Sequence, residues 1–374
     1  MKAVRISQVD ALFANGSYPI EMLFYYREGF STKRLRRALR RLSALFWPVC
    51  GEYRDGLIAF DRYREEDLFD ERAEDRALDI ADLDGAGAEV IAGYGLPELK
   101  RLFFLKVTRF TNGLVLVPTM NHLAGDGYSY FFFLSALASL TRPSSIPFKP
   151  FFVKALLKPH HRRTALRDFA LGSVNVPAVP TSERLTVEFE AIPRQEVRSL
   201  VRKAAAASGL NLSSNDILSA MALKKLAGRR SGAVGDDFDL TMPIDVRRQV
   251  AAYGPRFFGN GIMLHTAGFS RTTAEGASLE EAAAGIRRSM PVLSSENYVR
   301  YLAALEEMIA EKRWEHFRPF DPARGCLVTN LSKMPAERLD FGTGRPAVIV
   351  PLTIERNSAA IMARGENFVL RYAY

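Results

Sequence analysis

Apolar residues along the chain switch repeatedly between the two-residue spacing of strands and the three-to-four-residue spacing of helices. A short N-terminal segment holds Leu12 and Phe13, and a strand-like run follows from Glu21 to Tyr26. Leu35, Leu39, Leu42 and Phe46 then form one stripe of a helix that starts after Ser31, whose hydroxyl suits an N-cap. The segment Tyr53 to Phe60 reads as a hairpin folded about Asp55-Gly56. A stronger hairpin joins Leu102–Phe110 to Leu114–Met120 through Asn112-Gly113, the dipeptide that tight hairpin turns favour. Its second strand runs straight into Asn121-His122-Leu123-Ala124-Gly125-Asp126-Gly127, and an apolar helix follows from Tyr128 to about Leu140.

Between Arg142 and Thr181 the periodicity breaks around repeated prolines and basic residues, so 142–181 reads as a crossover between an N-terminal domain, 1–141, and a C-terminal domain, 182–374. Phe148, Phe151, Phe152, Leu156 and Leu157 within it call for burial. The second half opens with a strand from Arg184 to Ile192 and a helix from Pro193 to Ser208. A further helix from Ser213 or Ser214 to Leu226 is started by Ser214-Asn215-Asp216. Asp239–Pro243 reads as a strand, Leu279–Met290 as a helix and Gly325–Asn330 as a buried strand. Strands at Ala347–Ile354, Ala359–Ala363 and Asn367–Tyr372 close the chain. The class is α/β, with mixed sheets flanked by helices and no internal repeat.

Composition narrows the function classes. With 374 residues, 48% of them apolar and 25% charged, the chain can bury a core in each of two domains. Cys50 and Cys326 stand far apart, in neither a disulfide framework nor a metal-type spacing, which points to a reducing, cytoplasmic setting. The first ten residues turn polar too quickly for a signal peptide, and no apolar run reaches the roughly 18 residues of a membrane span. The net charge of +9 suits an anionic partner. Nucleic acid is disfavoured, because the basic clusters at Lys33–Arg41 and His160–Arg163 lie in no nucleic-acid motif. The first reads as the solvated face of the helix after Ser31, and the basic crossover as a surface for an anionic carrier or membrane.

Five histidines supply the candidates for proton transfer near neutral pH. His160 and His161 fall in the basic crossover, while His265 and His316 stand alone as structural residues. His122 ends a strand ahead of a Gly-rich turn and a helix, where side chains are displayed at a sheet end. A neutral imidazole there can take the proton from an attacking hydroxyl or amine near pH 7. Asp126, four residues on, can fold back to hydrogen-bond the ring, or pair with a distant arginine and hold the turn.

Two motifs in order, His122-Leu123-Ala124-Gly125-Asp126-Gly127 and Asp340-Phe341-Gly342-Thr343-Gly344, resemble the His-x-x-x-Asp-Gly and Asp-Phe-Gly-Trp-Gly of the BAHD acyl-CoA-dependent acyltransferases. These belong to the wider group containing chloramphenicol acetyltransferase and peptide-synthetase condensation domains. Weaker collinear echoes are Ser7-Gln8-Val9-Asp10, Asn215–Ala220, Pro243-Ile244-Asp245-Val246-Arg247, and Tyr253 with Phe257-Phe258-Gly259-Asn260.

The resemblance implies two chloramphenicol-acetyltransferase-like domains with a channel at their interface. It implies His122 as general base, Asp126 with Gly127 as structural support paired to Arg247, and Asp340, Gly342 and Gly344 as a structural loop near the donor channel. Thr329 and Asn330 match a strand that contacts oxyanion or substrate, and Ser213, Ser214 and Asn260 fall where donor binding is expected. Acyl-CoA would be co-substrate, with no bound cofactor or metal and no covalent intermediate. A small-molecule hydroxyl or amine would accept; the alternatives are an acyl group on an acidic carrier protein docked on the basic helix after Ser31 and the basic crossover, and a non-catalytic binding protein that keeps the fold. Leu331 and Thr343 stand where the family has tryptophan, and the chain is shorter than the plant enzymes; both departures suggest a distant bacterial or fungal branch.

Overall fold

The computed structural model describes residues 1–7, 9–10, 19–54, 56–83, 101–143, 185–229, 237–255, 257–311, 321–336, 339–352 and 355–374. The chain begins with β1 (Lys2–Arg5), β2 (Ile20–Tyr26) and α1 (Thr32–Leu45), then β3 (Glu52–Arg54), β4 (Leu57–Phe60) and β5 (Phe69–Ala73). The hairpin of β6 (Phe103–Phe110) and β7 (Gly113–Met120) leads into α2 (Gly127–Thr141). The second half runs β8 (Val187–Pro193), α3 (Arg194–Ser208), α4 (Ser214–Gly228), β9 (Asp237–Asp245) and β10 (Ile262–Ser270). After these come α5 (Arg271–Gly276), α6 (Leu279–Ser289) and α7 (Ser295–Ala310), then β11 (Gly325–Asn330), β12 (Val348–Pro351), β13 (Ser358–Arg364) and β14 (Asn367–Ala373).

The elements form two mixed sheets flanked by helices, as expected. The first sheet has the order β12-β2-β7-β6-β5, and the second β10-β9-β11-β13-β14-β8. A small sheet, β1-β4-β3, sits beside the first. The stripe of Leu35, Leu39 and Leu42 on α1 packs with α2 against Met22, Phe24, Leu116 and Met120 of the first sheet. Helix α2 is buried on nearly every side, from Tyr130 to Ala138, because it lies between that sheet and residues of the second half such as Phe258. The second sheet is covered on one face by α3 to α6 around Leu223, Leu240, Val328 and Ile361. At this level of burial each large apolar side chain contributes about 1.5–3 kcal/mol, so the two cores carry the fold.

Several elements were not anticipated from local pattern. Strand β5 is half polar (Phe69-Asp70-Glu71-Arg72-Ala73) and exists because it pairs in parallel with β6 at the sheet edge. Strand β10 spans Ile262–Ser270, pairing along its whole length with β9, although His265, Thr266 and Gly268 break its apolar run. Helix α7 buries Tyr298, Leu302, Leu305 and Ile309 against Val246, Val250 and Tyr253. Late in the chain, β12 pairs antiparallel with β2, so a segment of the second half completes the first sheet. Ala336, Leu339 and Phe341 also join the first core, with Phe341 stacked on Phe30 at 4.9 Å. Residues 144–181 of the crossover, including His160 and His161, and His316 lie outside the described residues.

Candidate functional site

His122 follows the last residues of β7, and a chain reversal separates it from α2. Asn121 Oδ1 accepts from the Leu123 amide at 2.9 Å and the Ala124 amide reaches the Asn121 carbonyl at 2.9 Å, which closes the turn. Gly125 adopts φ +156°, and a Cβ there would stand 2.7 Å from the Ser129 Cβ, so the turn is built for glycine. Asp126 is the N-cap of α2 and accepts from the Ser129 amide at 3.0 Å. Caps of this kind stabilise a helix by about 1 kcal/mol.

Asp126 points away from the imidazole. Its carboxylate forms a bidentate pair with Arg247, at 2.9 Å for each contact, and both side chains are 2% exposed. Its second oxygen also accepts from the Gly261 amide at 2.8 Å. Arg247 in turn donates to the carbonyls of Phe257 and Gly259 and to Asp245, and its guanidinium lies 4.4 Å from the ring centre of Tyr128. Gly261 passes so close that a Cβ would sit 2.9 Å from the Arg247 Cζ. Burial raises the Asp126 pKa, but the Arg247 charge and the hydrogen bonds outweigh it and hold the carboxylate below its usual range.

His122 is partly exposed as a residue, with its ring Nδ1 buried. Burial pushes its pKa down from 6.5; the Asp126 charge and the Asn260 side chain offset only part of that shift. The ring is therefore neutral at pH 7, the form that accepts a proton. Asn260 is 1% exposed, so the residue expected at the donor surface lies instead behind the histidine. Its Nδ2 donates to the His122 carbonyl at 2.7 Å and to Asp10 Oδ1 at 3.1 Å. Asp10, quoted above only as part of a weak echo, is thereby tied to the site; its signal in the sequence was collinearity alone.

Strand β11 ends beside this turn, and Leu331 reaches within 3.6 Å of a Cβ placed on Gly127. Cys326 and Val328 face the helices, so by alternation Thr329 faces the opposite side of the sheet. Thr329 makes no side-chain hydrogen bond among the described residues. Asn330 is committed: Nδ2 donates to Asn215 at the start of α4, and Oδ1 accepts from the Ser332 amide. Ser213 caps α4 in a capping box with Asp216, which Arg287 also contacts, and Ser214 is the first residue of that helix. Asp340 Oδ1 accepts from the amides of Gly342 and Gly344, at 2.7 and 2.9 Å, while Arg142 donates to the Asp340 carbonyl. With φ of +117° and +98° both glycines are required by that loop. The loop packs on the first core, apart from the Asp126–Arg247 pair. Among the described residues there is no group of three His, Cys, Asp or Glu able to hold a metal, and no helix long and apolar enough to cross a membrane.

Two mixed sheets thus meet at a histidine-bearing turn, closed by an aspartate–arginine pair from the two halves. The chain belongs to the Transferase family, whose model matches residues 94–367. It is 24% identical to shikimate O-hydroxycinnamoyltransferase of Nicotiana tabacum, over 92% of this chain and 85% of that protein. A hydroxycinnamoyl-CoA:5-hydroxyanthranilate N-hydroxycinnamoyltransferase of Avena sativa is 26% identical, over 92% of this chain and 86% of its own length. Among solved structures, F. sporotrichioides TRI101 complexed with coenzyme A and T-2 superposes with a TM-score of 0.75 at 16% identity, covering 99% of this chain and 94% of that one.

Proposed function

We infer that the protein transfers an acyl group from acyl-CoA to a hydroxyl or amine of a small molecule, with His122 as general base. One observation carries this reading: a neutral imidazole on His122 at a sheet end, beside a carboxylate that is turned away and neutralised by Arg247. The acceptor oxygen or nitrogen loses its proton to the imidazole as it attacks the thioester carbonyl. The tetrahedral intermediate then collapses, the C–S bond breaks, and the departing thiolate takes the proton from the imidazolium. Direct transfer needs no covalent enzyme intermediate, and the two cysteines are buried with thiol pKa values pushed up by burial, which disfavours them as nucleophiles.

Thr329, on the face of β11 opposite the helices, is the hydroxyl we place at the developing oxyanion. Asn330 serves instead to fix β11 to α4. The relatives' names support hydroxycinnamoyl thioesters as the first donors to try and both alcohols and amines as acceptors. The test is acceptor-dependent thiol release from a panel of acyl-CoA thioesters, wild type beside His122→Ala. We expect a loss of at least about a hundredfold in kcat; full activity in the alanine variant refutes the reading.

The exposed cations Lys33, Arg34, Arg37, Arg40 and Arg41 of α1 favour a second donor, an acyl group on an acidic carrier protein. None of the five joins an ion pair among the described residues. Acyl transfer from a carrier that is faster than from acyl-CoA, and falls with added salt, selects this donor.

A further inference from the structure

His122 Nδ1 and Asn260 Oδ1, both buried, lack partners among the described residues. Leaving either unpaired costs about 1–3 kcal/mol, so a matched pair of orphans in adjacent side chains is informative. The orientation of the Asn260 amide is fixed by its other contacts. Its nitrogen faces two acceptors, the His122 carbonyl and Asp10 Oδ1, so the oxygen is the atom left over. Asn260 also draws the His122 pKa upward, as an accepting oxygen does. The His122 carbonyl accepts from Asn260 Nδ2.

We propose that Asn260 is a positioning residue whose Oδ1 accepts the Nδ1–H of His122, leaving the lone pair on Nε2 to meet the acceptor's proton. This rests on the reading of His122 as base and deepens it. The neutral amide sets the tautomer and ring angle without adding a charge that would keep the imidazole protonated. It also gives the Asp126–Arg247 pair a route to the base, because both residues flanking Asn260 are clamped by it. Gly261 N donates to Asp126, Gly259 O accepts from Arg247, and Ser129 Oγ both accepts from Gly259 N and donates to Gly259 O. Asp126 thus bears on the histidine through Asn260, which Asp10 holds from the far side.

The experiment is nitrogen-15 NMR of histidine-labelled protein above pH 7, with His122 assigned by the His122→Ala spectrum. We expect the His122 proton on Nδ1 in the wild type and a shift of the population toward Nε2–H in Asn260→Ala. Kinetically, Asn260→Ala should lower kcat at least tenfold while the KM for acyl-CoA stays within twofold, a split that a donor-binding residue would not produce. A wild-type proton on Nε2, or an alanine variant with an unchanged tautomer, overturns the proposal. The wild-type spectrum decides even where Asn260→Ala fails to fold. The tautomer is read without turnover, so its failure is distinct from that of the functional reading, which only the His122→Ala activity decides.

Discussion

Replacing Arg247 with methionine tests the joint between the two halves. The substitution keeps much of the apolar stem and removes a guanidinium that is 2% exposed and in bidentate contact with Asp126. The carboxylate left behind retains the amides of Ser129 and Gly261 but loses its counter-charge in a buried site. Stranding one member of such a pair costs about 3–5 kcal/mol. The reverse change, Asp126→Asn, is milder, about 1–3 kcal/mol, since Arg247 keeps Asp245 and the carbonyls of Phe257 and Gly259. The double variant strands neither charge, so it should cost less than the sum of the two by at least about 1 kcal/mol. Urea unfolding of the four proteins at pH 7.5 supplies the cycle, with thiol release measured on each. Strict additivity, or a loss below about 1 kcal/mol for Arg247→Met, refutes the assignment of this pair as the brace. Exchanging the two residues is not an equivalent test. An arginine at 126 would face the amides of Ser129 and Gly261, and an aspartate at 247 would face carbonyls, so the swap fails even though the pair is real.

Two further outcomes concern pH. Because burial depresses the His122 pKa below 6.5, the kcat/KM profile should fall on the acid side with an apparent pKa under 6.5; a midpoint above 7 contradicts the buried, neutral base. Glu355 behaves in the opposite sense, its carboxyl being pushed up to about 7 by burial with Oε2 lacking a partner among the described residues. A raised carboxylate pKa means stability that is full below about 4.5 and lost as pH rises through 7, so Glu355→Gln should stabilise the protein by about 1–3 kcal/mol at pH 8 and not at pH 4. Equal melting shifts at the two pH values refute it.

Local pattern was sufficient wherever an element's partners are near in sequence. The Asn112-Gly113 hairpin, the Ser31 cap with its Leu35–Leu39–Leu42 stripe, and the capping box at Ser213 and Asp216 are set by side chains within a few residues of the backbone they organise. The turn carrying His122 was legible for the same reason. Spacing alone left Asp126 between two partners, the ring and a distant arginine, because four residues across a glycine turn permit both. Only the packing of α2 against the loop around Gly259 turned the carboxylate toward Arg247, 121 residues away. Asn260, expected at the donor surface, is buried and bonds the His122 carbonyl, since side-chain exposure is a property of both halves together. The edge strand β5 and the return of β12 to β2 belong to the same category. β5 carries a weak local signal and becomes a strand because β6 offers unpaired backbone groups, whereas β12 reads as a strand locally and only the tertiary structure decides that its partner is β2.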